Sequence, residues 1–236
     1  MKTVALLTGR GNNSLKDKNI LEVCGQPLMS YPALAAKRST QIDLFYISSE
    51  NEKILSIGQN LDFKRIKRPE ELARPDSRHE DTIRHALDIM TKEGVHPDIL
   101  VVLLANTVCV VTEWIDQCIN EIKNDPEISA VVPVFLDLDH HPYRAKRLGK
   151  DGFLEPYFDF DKQDISTNRQ ELGDCYFLCH NFWVLNVKKS VFTENGQAPW
   201  TFMGNRIKPF AVEEFMGDVH CKEDLKRSEE WVKQNS

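Results

Sequence analysis

The sequence lacks any long hydrophobic run. None of its 236 residues belong to an apolar stretch near the roughly 20 residues that a membrane-spanning helix requires. The first apolar run, TVALL, holds about five residues, fewer than the roughly 7–15 of a signal-peptide core. We therefore expect a cytoplasmic protein with no membrane partner.

An excess of positive charge is also absent. The chain has 30 lysines and arginines against 36 aspartates and glutamates, which gives a net charge of −6. Proteins that bind nucleic acid usually carry a basic surface, so we expect no nucleic-acid partner. A locally basic segment in such an acidic chain instead favours a small anionic ligand.

Tightly spaced pairs of cysteines are missing as well. Of the 6 cysteines, Cys175 and Cys179 lie close together in sequence, with His180 beside them and His220 and Cys221 far downstream. Structural zinc normally has two ligand pairs at tight spacing. A zinc site is therefore the less favoured alternative to cysteines that act as small buried hydrophobes.

Strand and helix patterns alternate along the first half of the chain, and no linker, repeat or low-complexity tract interrupts them. This organisation fits one domain over residues 1–236. Apolar runs predict strands at 3–8, 42–48, 63–69, 98–105 and 130–135. Helical spacing predicts helices at 28–38, with Pro32 in the first turn, at 50–60, ending near Gly58, at 80–94, with Gly94 as the stop, and at 112–124, with Thr112 as the N-cap.

The βαβ alternation predicts an α/β fold with a mostly parallel, doubly wound sheet. In such sheets ligands bind beyond the carboxyl ends of the strands. After residue 137, short strands, aromatic residues and turns predict a small hairpin-rich lobe over 137–186. An amphipathic pattern over 218–234 predicts a final helix.

The stretch LTGRGNNSLKDKN, residues 7–19, follows the first strand. Glycines after a strand allow backbone N–H groups to converge on an anion, and Arg10, Lys16 and Lys18 add positive charge, so a nucleoside triphosphate is a suitable ligand. The loop is no Walker P-loop, because no Gly-Lys-Ser/Thr ends it, and it lacks the third glycine of a dinucleotide fingerprint. A solvated surface loop is the alternative that these residues leave open.

The same loop, continued by GQPLMSYPALAAKRS, resembles the N-terminal signature of the cytidylyltransferases that make CMP-sialic acid and related CMP-sugars. Further similarities follow in the family's order and together cover nearly the whole chain. They are LLANTVCVVTEWIDQCI, DHHPYRAKRLGKDGFLEPYF, NRQELGDCYFLCHNFWVLN and GDVHCKEDLKRSEEW.

This resemblance implies a nucleotide-diphospho-sugar transferase-like fold and a Mg²⁺-dependent enzyme, with a homodimer as the expected assembly. A hydroxyl of a sialic-acid-like (nonulosonic) sugar would attack the α-phosphate of CTP and release pyrophosphate. Two alternatives stay open. One is a nucleotidyltransferase with another acceptor, such as a sugar phosphate or phosphonate, and the other is a catalytically inactive relative that binds nucleotide.

The resemblance places the nucleotide in the opening loop and after the strand at 98–105. The nucleotide-binding residues that it implies are Gly9, Arg10, Gly11, Asn12, Asn13, Lys18, Asn19 and Asn106. Arg10 and Lys16 would stabilise the charge of the departing pyrophosphate. Asn13 stands where the family usually has lysine, and Ala105 and Asn106 replace its Gln-Pro.

Asp218 and His220 stand where the family has Asp-Ile-Asp. The resemblance implies that both hold the metal ion and that Asp218 is catalytic. Mg²⁺ prefers oxygen ligands, whereas an imidazole suits Mn²⁺ or Zn²⁺ better. The alternatives are that His220 is a base or a sugar contact, or that this segment is only a turn before a helix.

Arg144, Arg169 and Gln170 match the family's basic residue after His-Pro and its Arg-Gln element. We expect them to bind the acceptor, because an arginine fork pairs naturally with a carboxylate. Ion pairs at the surface are the alternative. Residues 179–181, Cys-His-Asn, stand where Asn-Gly-Ala is common in the family.

Overall fold

The computed structural model describes residues 1–11, 15–159, 165–213 and 217–235. The strands are β1 Thr3–Thr8, β2 Glu22–Val23, β3 Gln26–Pro27, β4 Leu44–Ser49, β5 Lys64–Lys67, β6 Ile99–Leu104, β7 Ala130–Leu136, β8 Lys146–Leu148, β9 Leu154–Pro156, β10 Tyr176–Leu178, β11 Phe182–Asn186 and β12 Ile207–Ala211. The α-helices are α1 Ser30–Arg38, α2 Glu52–Asn60, α3 His79–Lys92, α4 Thr112–Asn124 and α5 Lys222–Gln234. Short 3₁₀ helices cover Lys18–Ile20, Glu70–Ala73, Pro142–Arg144, Arg169–Glu171 and Thr201–Met203.

The central sheet has eight strands, and its first half is parallel, as predicted. β5, β4, β1 and β6 lie side by side in parallel, and β12 runs parallel to β7 at the other end. The α/β class with a mostly parallel sheet is therefore confirmed.

The βα rhythm runs from β6 through α4 to β7, but these two strands are not neighbours in the sheet. β11 lies between β6 and β7 and is antiparallel to both. The connection from β7 to β11 contains no α-helix among its described residues, so the chain returns in the opposite direction without the crossover that a parallel neighbour requires.

The hairpin-rich segment is smaller than the range 137–186. β10 and β11 fall within that range but are strands of the central sheet. The β8–β9 hairpin forms a separate antiparallel pair, with Arg147 opposite Glu155. The part of the range outside the sheet therefore ends before Tyr176.

Both faces of the sheet are buried, which explains the continuous apolar runs. Ala5 and Leu7 of β1 pack with α1, α2 and α4, whereas Val4 and Leu6 pack with α3 on the opposite face. A smaller cluster joins β2, α1 and α5 through Val23, Tyr31 and Val232. None of the helices within the described ranges is both long and apolar enough to cross a membrane.

The helix ends agree with the sequence signals in part. Pro32 lies in the first turn of α1, and Gly94, with φ 76°, follows the end of α3, as predicted. Thr112 is not the N-cap of α4: Val111 occupies that position, and the Thr112 hydroxyl donates to the Ala35 carbonyl at 2.8 Å. Gly58 lies buried inside α2, which continues to Asn60.

We expect Gly58→Ala to destabilise the protein, although alanine favours a helix over glycine by about 1 kcal/mol. A Cβ at Gly58 would lie 2.9 Å from Cγ2 of the buried Ile47 in β4. Overpacking of this kind typically costs about 1–3 kcal/mol. Urea unfolding measures the free energy, with Ser56→Ala on the exposed face of α2 as the control, which should change it by a few tenths. A stabilised Gly58→Ala protein would contradict this packing.

Candidate functional site

A cleft of about 400 Å³ opens at the carboxyl ends of β1, β5 and β6. This is the edge at which parallel sheets bind ligands. Its lining residues are Thr8, Gly9, Arg10, Lys18, Asn19, Arg68, Leu72, Arg74, Pro75, Ser77, Arg78, His79, Thr82, Leu104, Ala105, Asn106, Asp218 and His220. The site residues expected from the sequence that it brings together are Gly9, Arg10, Lys18, Asn19, Asn106, Asp218 and His220.

The floor of the cleft is formed where β1 and β6 end side by side. Thr8 pairs with Leu104 in the sheet, and Gly9 lies next to Ala105. A Cβ added to Gly9 would lie only 3.0 Å from the Ala105 Cβ and 3.1 Å from the Asn19 amide nitrogen. Glycine at this position therefore lets the opening loop lie close to the end of β6.

Arg10 connects the two walls of the cleft. Its Nη1 donates to the Arg74 carbonyl at 2.8 Å, and its own carbonyl accepts from the Asn19 side chain at 2.9 Å. The Gly11 N–H donates to the Glu50 carboxylate, and Gly11 is not among the lining residues, so its expected nucleotide-binding role stays a prediction. The opening loop is thus held against the segment after β5 on one side and against itself on the other.

Lys18 is a buried cation, with 7% of its surface exposed. Burial lowers its pKa, and the nearby Arg10 acts in the same direction, whereas the Asp218 carboxylate opposes the shift. A buried ammonium of this kind gains most from an anionic ligand, which restores the favourable interactions lost with water. Asn12 and Asn13, the other loop residues expected to bind nucleotide, lie outside the described residues.

The segment after β5 supplies arginines that the sequence analysis did not assign to the site: Arg68, Arg74 and Arg78 all line the cleft. Arg68 is 6% exposed, and its Nη2 donates to the Ser48 carbonyl at 2.7 Å. Burial lowers its pKa to about 10, which leaves it protonated at neutral pH. The sequence held one indication of this role, because the arginine-rich segment RPEELARPDSR, residues 68–78, lies at the carboxyl end of a predicted strand.

His79, the first residue of α3, is a neutral histidine in the wall of the cleft. The Thr8 hydroxyl donates to the Leu103 carbonyl at 3.2 Å, so the 3.1 Å contact between Thr8 Oγ1 and His79 Nε2 requires Nε2 to carry the proton. Burial lowers the pKa of His79 well below its ordinary value, and the positive charge of Arg68 adds to the shift. Its ring also meets Trp183 edge to face, with centroids 5.0 Å apart.

Asp218 is held at the cleft by the end of β6. The Val219 N–H donates to the Asn106 carbonyl at 2.8 Å, and the Asn106 side chain donates to Asp218 Oδ2 at 2.7 Å. His220 Nε2 lies 3.0 Å from Asp218 Oδ1. Both carboxylate oxygens of Asp218 therefore have a protein partner.

The described residues contain no group of three or more His, Cys, Asp or Glu side chains that could hold a metal ion. The described residues therefore do not supply a complete set of protein ligands for a metal ion. Mg²⁺ in nucleotide enzymes is typically held by one or two carboxylates together with substrate phosphates. The Asp218 carboxylate, beside a cationic cleft, fits that arrangement, and the pairing of Asp218 with His220 stays a predicted metal site.

The remaining expected residues lie away from the cleft lining. Lys16 is exposed. Arg169 Nη1 donates to Asp139 Oδ1 at 2.6 Å, and Arg144 Nη1 donates to the Asp139 carbonyl at 3.2 Å. Gln170 is exposed in the same 3₁₀ turn as Arg169. Arg144 and Arg169 thus share one aspartate at the surface, and the roles expected for all four residues stay predictions.

The cysteines are free thiols, and several are buried. Burial raises the pKa of Cys179 to about 12 and raises that of Cys118 further. Both side chains are almost completely buried, and Cys118 packs in the apolar core. This burial agrees with the interpretation of these two cysteines as small buried hydrophobes.

A comparison with protein families identifies the chain by its sequence. The profile of the family described as cytidylyltransferase matches residues 10–174. The N-acylneuraminate cytidylyltransferase of Escherichia coli O18:K1:H7 (strain RS218 / NMEC) is 31% identical over 91 residues, which are 38% of this chain and 22% of that protein. The match thus spans less than a quarter of that relative's length.

Solved structures share the fold across 98–100% of the chain. A CMP:2-keto-3-deoxy-manno-octonic acid synthetase complexed with CTP superposes with a TM-score of 0.71 at 13% identity, over 100% of both chains. The 4-diphosphocytidyl-2C-methyl-D-erythritol synthase of Anaerococcus prevotii DSM 20548 gives 0.64 at 12% identity, over 98% of this chain and 96% of the other. These likenesses confirm the predicted nucleotide-diphospho-sugar transferase-like fold.

We expect His79 to make the protein acid-sensitive. An unfolded histidine titrates near pH 6.5, whereas folded His79 stays neutral, so the unfolded state binds more protons below that pH. The free energy of unfolding then falls as pH drops from about 6.5 towards the folded pKa. His79→Gln keeps a donor and cannot titrate, so the stability advantage of the natural protein should shrink by about 1 kcal/mol between pH 7.5 and 5.5.

Urea unfolding at the two pH values measures this difference. His96→Gln, at an exposed position, is the matched control and should keep a constant difference from the natural protein. A constant difference for His79→Gln would show that His79 is not held neutral by the fold.

Proposed function

Because this chain belongs to the cytidylyltransferase family, we propose that it is a cytoplasmic enzyme that transfers CMP from CTP to a sialic-acid-like sugar and releases pyrophosphate. One observation carries the proposal. The cleft is lined by the cations Arg10, Lys18, Arg68, Arg74 and Arg78, and Asp218 is the one carboxylate among its lining residues. This charge distribution suits a triphosphate.

The reaction needs charge neutralisation more than covalent help. The acceptor oxygen forms a bond to the α-phosphorus while the bond to the bridging oxygen breaks, and pyrophosphate leaves with that electron pair. The hydroxyl proton passes to solvent or to a nearby base. Cations fixed in a partly dehydrated cleft stabilise the departing charge without reorganising during the reaction. Lys18 and Arg68 are cations of this kind, because both are buried and therefore partly dehydrated.

We assign the metal-binding role to Asp218. Its carboxylate would hold Mg²⁺ together with phosphate oxygens of the nucleotide, and Asn106 fixes its orientation. When bound, the ion supplies additional neutralisation of the phosphates. His220 would favour Mn²⁺ if its imidazole joins the ligands, because nitrogen ligands suit that ion better than Mg²⁺.

The acceptor's carboxylate would bind at Arg169, with Arg144 and Gln170 beside it. In the free protein Arg169 pairs with Asp139, and both side chains are more than half exposed. Exposed pairs of this kind contribute about 0–1 kcal/mol. Exchanging Asp139 for a substrate carboxylate therefore costs little free energy.

We expect Arg74→Ala to weaken CTP binding about tenfold, equal to about 1.4 kcal/mol. The Arg74 side chain lines the cleft, and its guanidinium has no partner within the described part of the chain. Isothermal titration with CTP and Mg²⁺ measures the affinity. Arg65→Ala is the control, because Arg65 lies on β5 but pairs with Glu52 outside the cleft. Equal affinities for the two variants would remove Arg74 from the nucleotide site.

Pyrophosphate release tests the proposed function directly. CTP, UTP, GTP and ATP are each combined with sialic acid, 3-deoxy-octulosonic acid, a sugar phosphate or a phosphonate. Turnover with CTP and a nonulosonic acid is the expected result. Turnover with only a phosphorylated acceptor would place the enzyme in another substrate class. CTP binding without turnover on any acceptor would identify an inactive relative.

The homodimer that we propose would form through the β8–β9 hairpin. Leu148, Phe153 and Leu154 each expose more than 70% of their surface there, and large exposed apolar patches usually mark an interface. Phe153→Asp should shift the protein to a monomer in sedimentation analysis. Phe192→Asp, at another exposed phenylalanine, should stay dimeric. A natural protein that is monomeric at all concentrations would contradict the proposal.

A further inference from the structure

A break between β10 and β11 lies beside the cleft. Leu178 of β10 pairs with Val134 of β7, and Val184 of β11 pairs with Val131. The chain advances six residues from Leu178 to Val184, whereas β7 advances only three residues between their partners, Val134 and Val131. The three extra residues, 179–181, form a bulge. Bulges are enriched next to active sites, where they redirect a side chain.

His180, at the centre of this bulge, has a backbone that few side chains adopt. Its φ of 49° lies in the left-handed region, which favours glycine. Both neighbours are anchored: the Cys179 N–H donates to the Pro133 carbonyl at 2.9 Å, and the Asn181 side chain donates to the Cys109 carbonyl at 2.8 Å. Unfavourable conformations that the surroundings enforce in this way cluster at functional sites.

The sheet places His180 next to the cleft, although His180 is not itself one of the lining residues. The Asn181 carbonyl accepts from the Leu104 N–H at 3.1 Å. His180 is one residue further along, beside the point where Ala105 and Asn106 line the cleft.

Two tryptophans hold the His180 ring in place. Its centroid lies 5.3 Å from that of Trp200 and 6.2 Å from that of Trp183. Burial lowers the pKa of His180, and the Asp218 charge partly opposes the shift. A neutral imidazole offers one N–H donor and one nitrogen acceptor, a combination that suits a hydroxyl group.

The cations lie on the other side of β6. Arg10 and Lys18 follow β1, and Arg68, Arg74 and Arg78 follow β5, whereas His180 precedes β11. In phosphoryl transfer the attacking and leaving oxygens are roughly in line. A pyrophosphate that leaves towards the cations therefore requires the acceptor to approach from the side of β11.

We propose that His180 is a specificity-determining residue that hydrogen-bonds a hydroxyl of the acceptor sugar. The bulge and the left-handed backbone serve to aim its ring at that sugar. This inference rests on the proposed function and adds to it a residue of the acceptor site.

Steady-state kinetics on His180→Gly test the inference. The acceptor KM should rise at least tenfold while the CTP KM stays within twofold, because the cations proposed to bind the triphosphate lie on the other side of β6. The melting temperature should not fall, since glycine relieves the left-handed backbone. His180→Asn, which tolerates this backbone and keeps a donor and an acceptor, should recover part of the acceptor affinity.

Asp62→Gly is the matched control, because Asp62 has φ 60° and its side chain is 85% exposed. It should relieve the same backbone conformation and leave both KM values unchanged. An unchanged acceptor KM in His180→Gly, or an equal rise in both KM values, would overturn the inference alone. No turnover by the natural protein on any acceptor would overturn the proposed function and this inference together.

Discussion

Two buried cations, Lys18 and Arg68, impose the constraint on which the rest of the site depends. Each exposes less than a tenth of its surface, and neither has an ion pair within the described residues to compensate for lost hydration. Arg68 is held by the Ser48 backbone, and Lys18 begins a short 3₁₀ turn in which the Asn19 side chain donates to the Arg10 carbonyl. Burying these charges costs desolvation free energy, which a multiply charged anion in the cleft would offset. The sheet, which is buried on both faces, supplies the rigidity that keeps these charges in place.

The sequence predicted the features that local patterns determine. The run at β6 is apolar throughout because both of its faces are buried, and Gly94 ends α3 because it adopts a positive φ. The insertion of β11 between β6 and β7 could not be predicted in this way, since pairing between distant segments depends on the whole fold. The same reason explains the missed arginines: nothing local indicates that Arg74 lies opposite Arg10, and only their shared hydrogen bond shows it.

The positive charge of the cleft is distributed differently from what the family resemblance leads us to expect. Asn13 occupies the position where the resemblance leads us to expect a lysine, yet the opposite wall carries Arg74 and Arg78. Positive charge is thus present at the cleft although the opening loop has less of it. Asp218, fixed by Asn106, keeps one carboxylate among these cations.

The hydrogen bond from Arg10 to the Arg74 carbonyl joins the two walls of the cleft. Because the acceptor is a backbone atom, the contact depends on the path of the chain around Arg74 and not on the identity of that side chain. A chimera that imports the opening loop from a relative would keep this contact only if the segment after β5 followed the same path. The two segments would therefore have to be exchanged together, and divergence in the length of either one would be expected to accompany a change in the other.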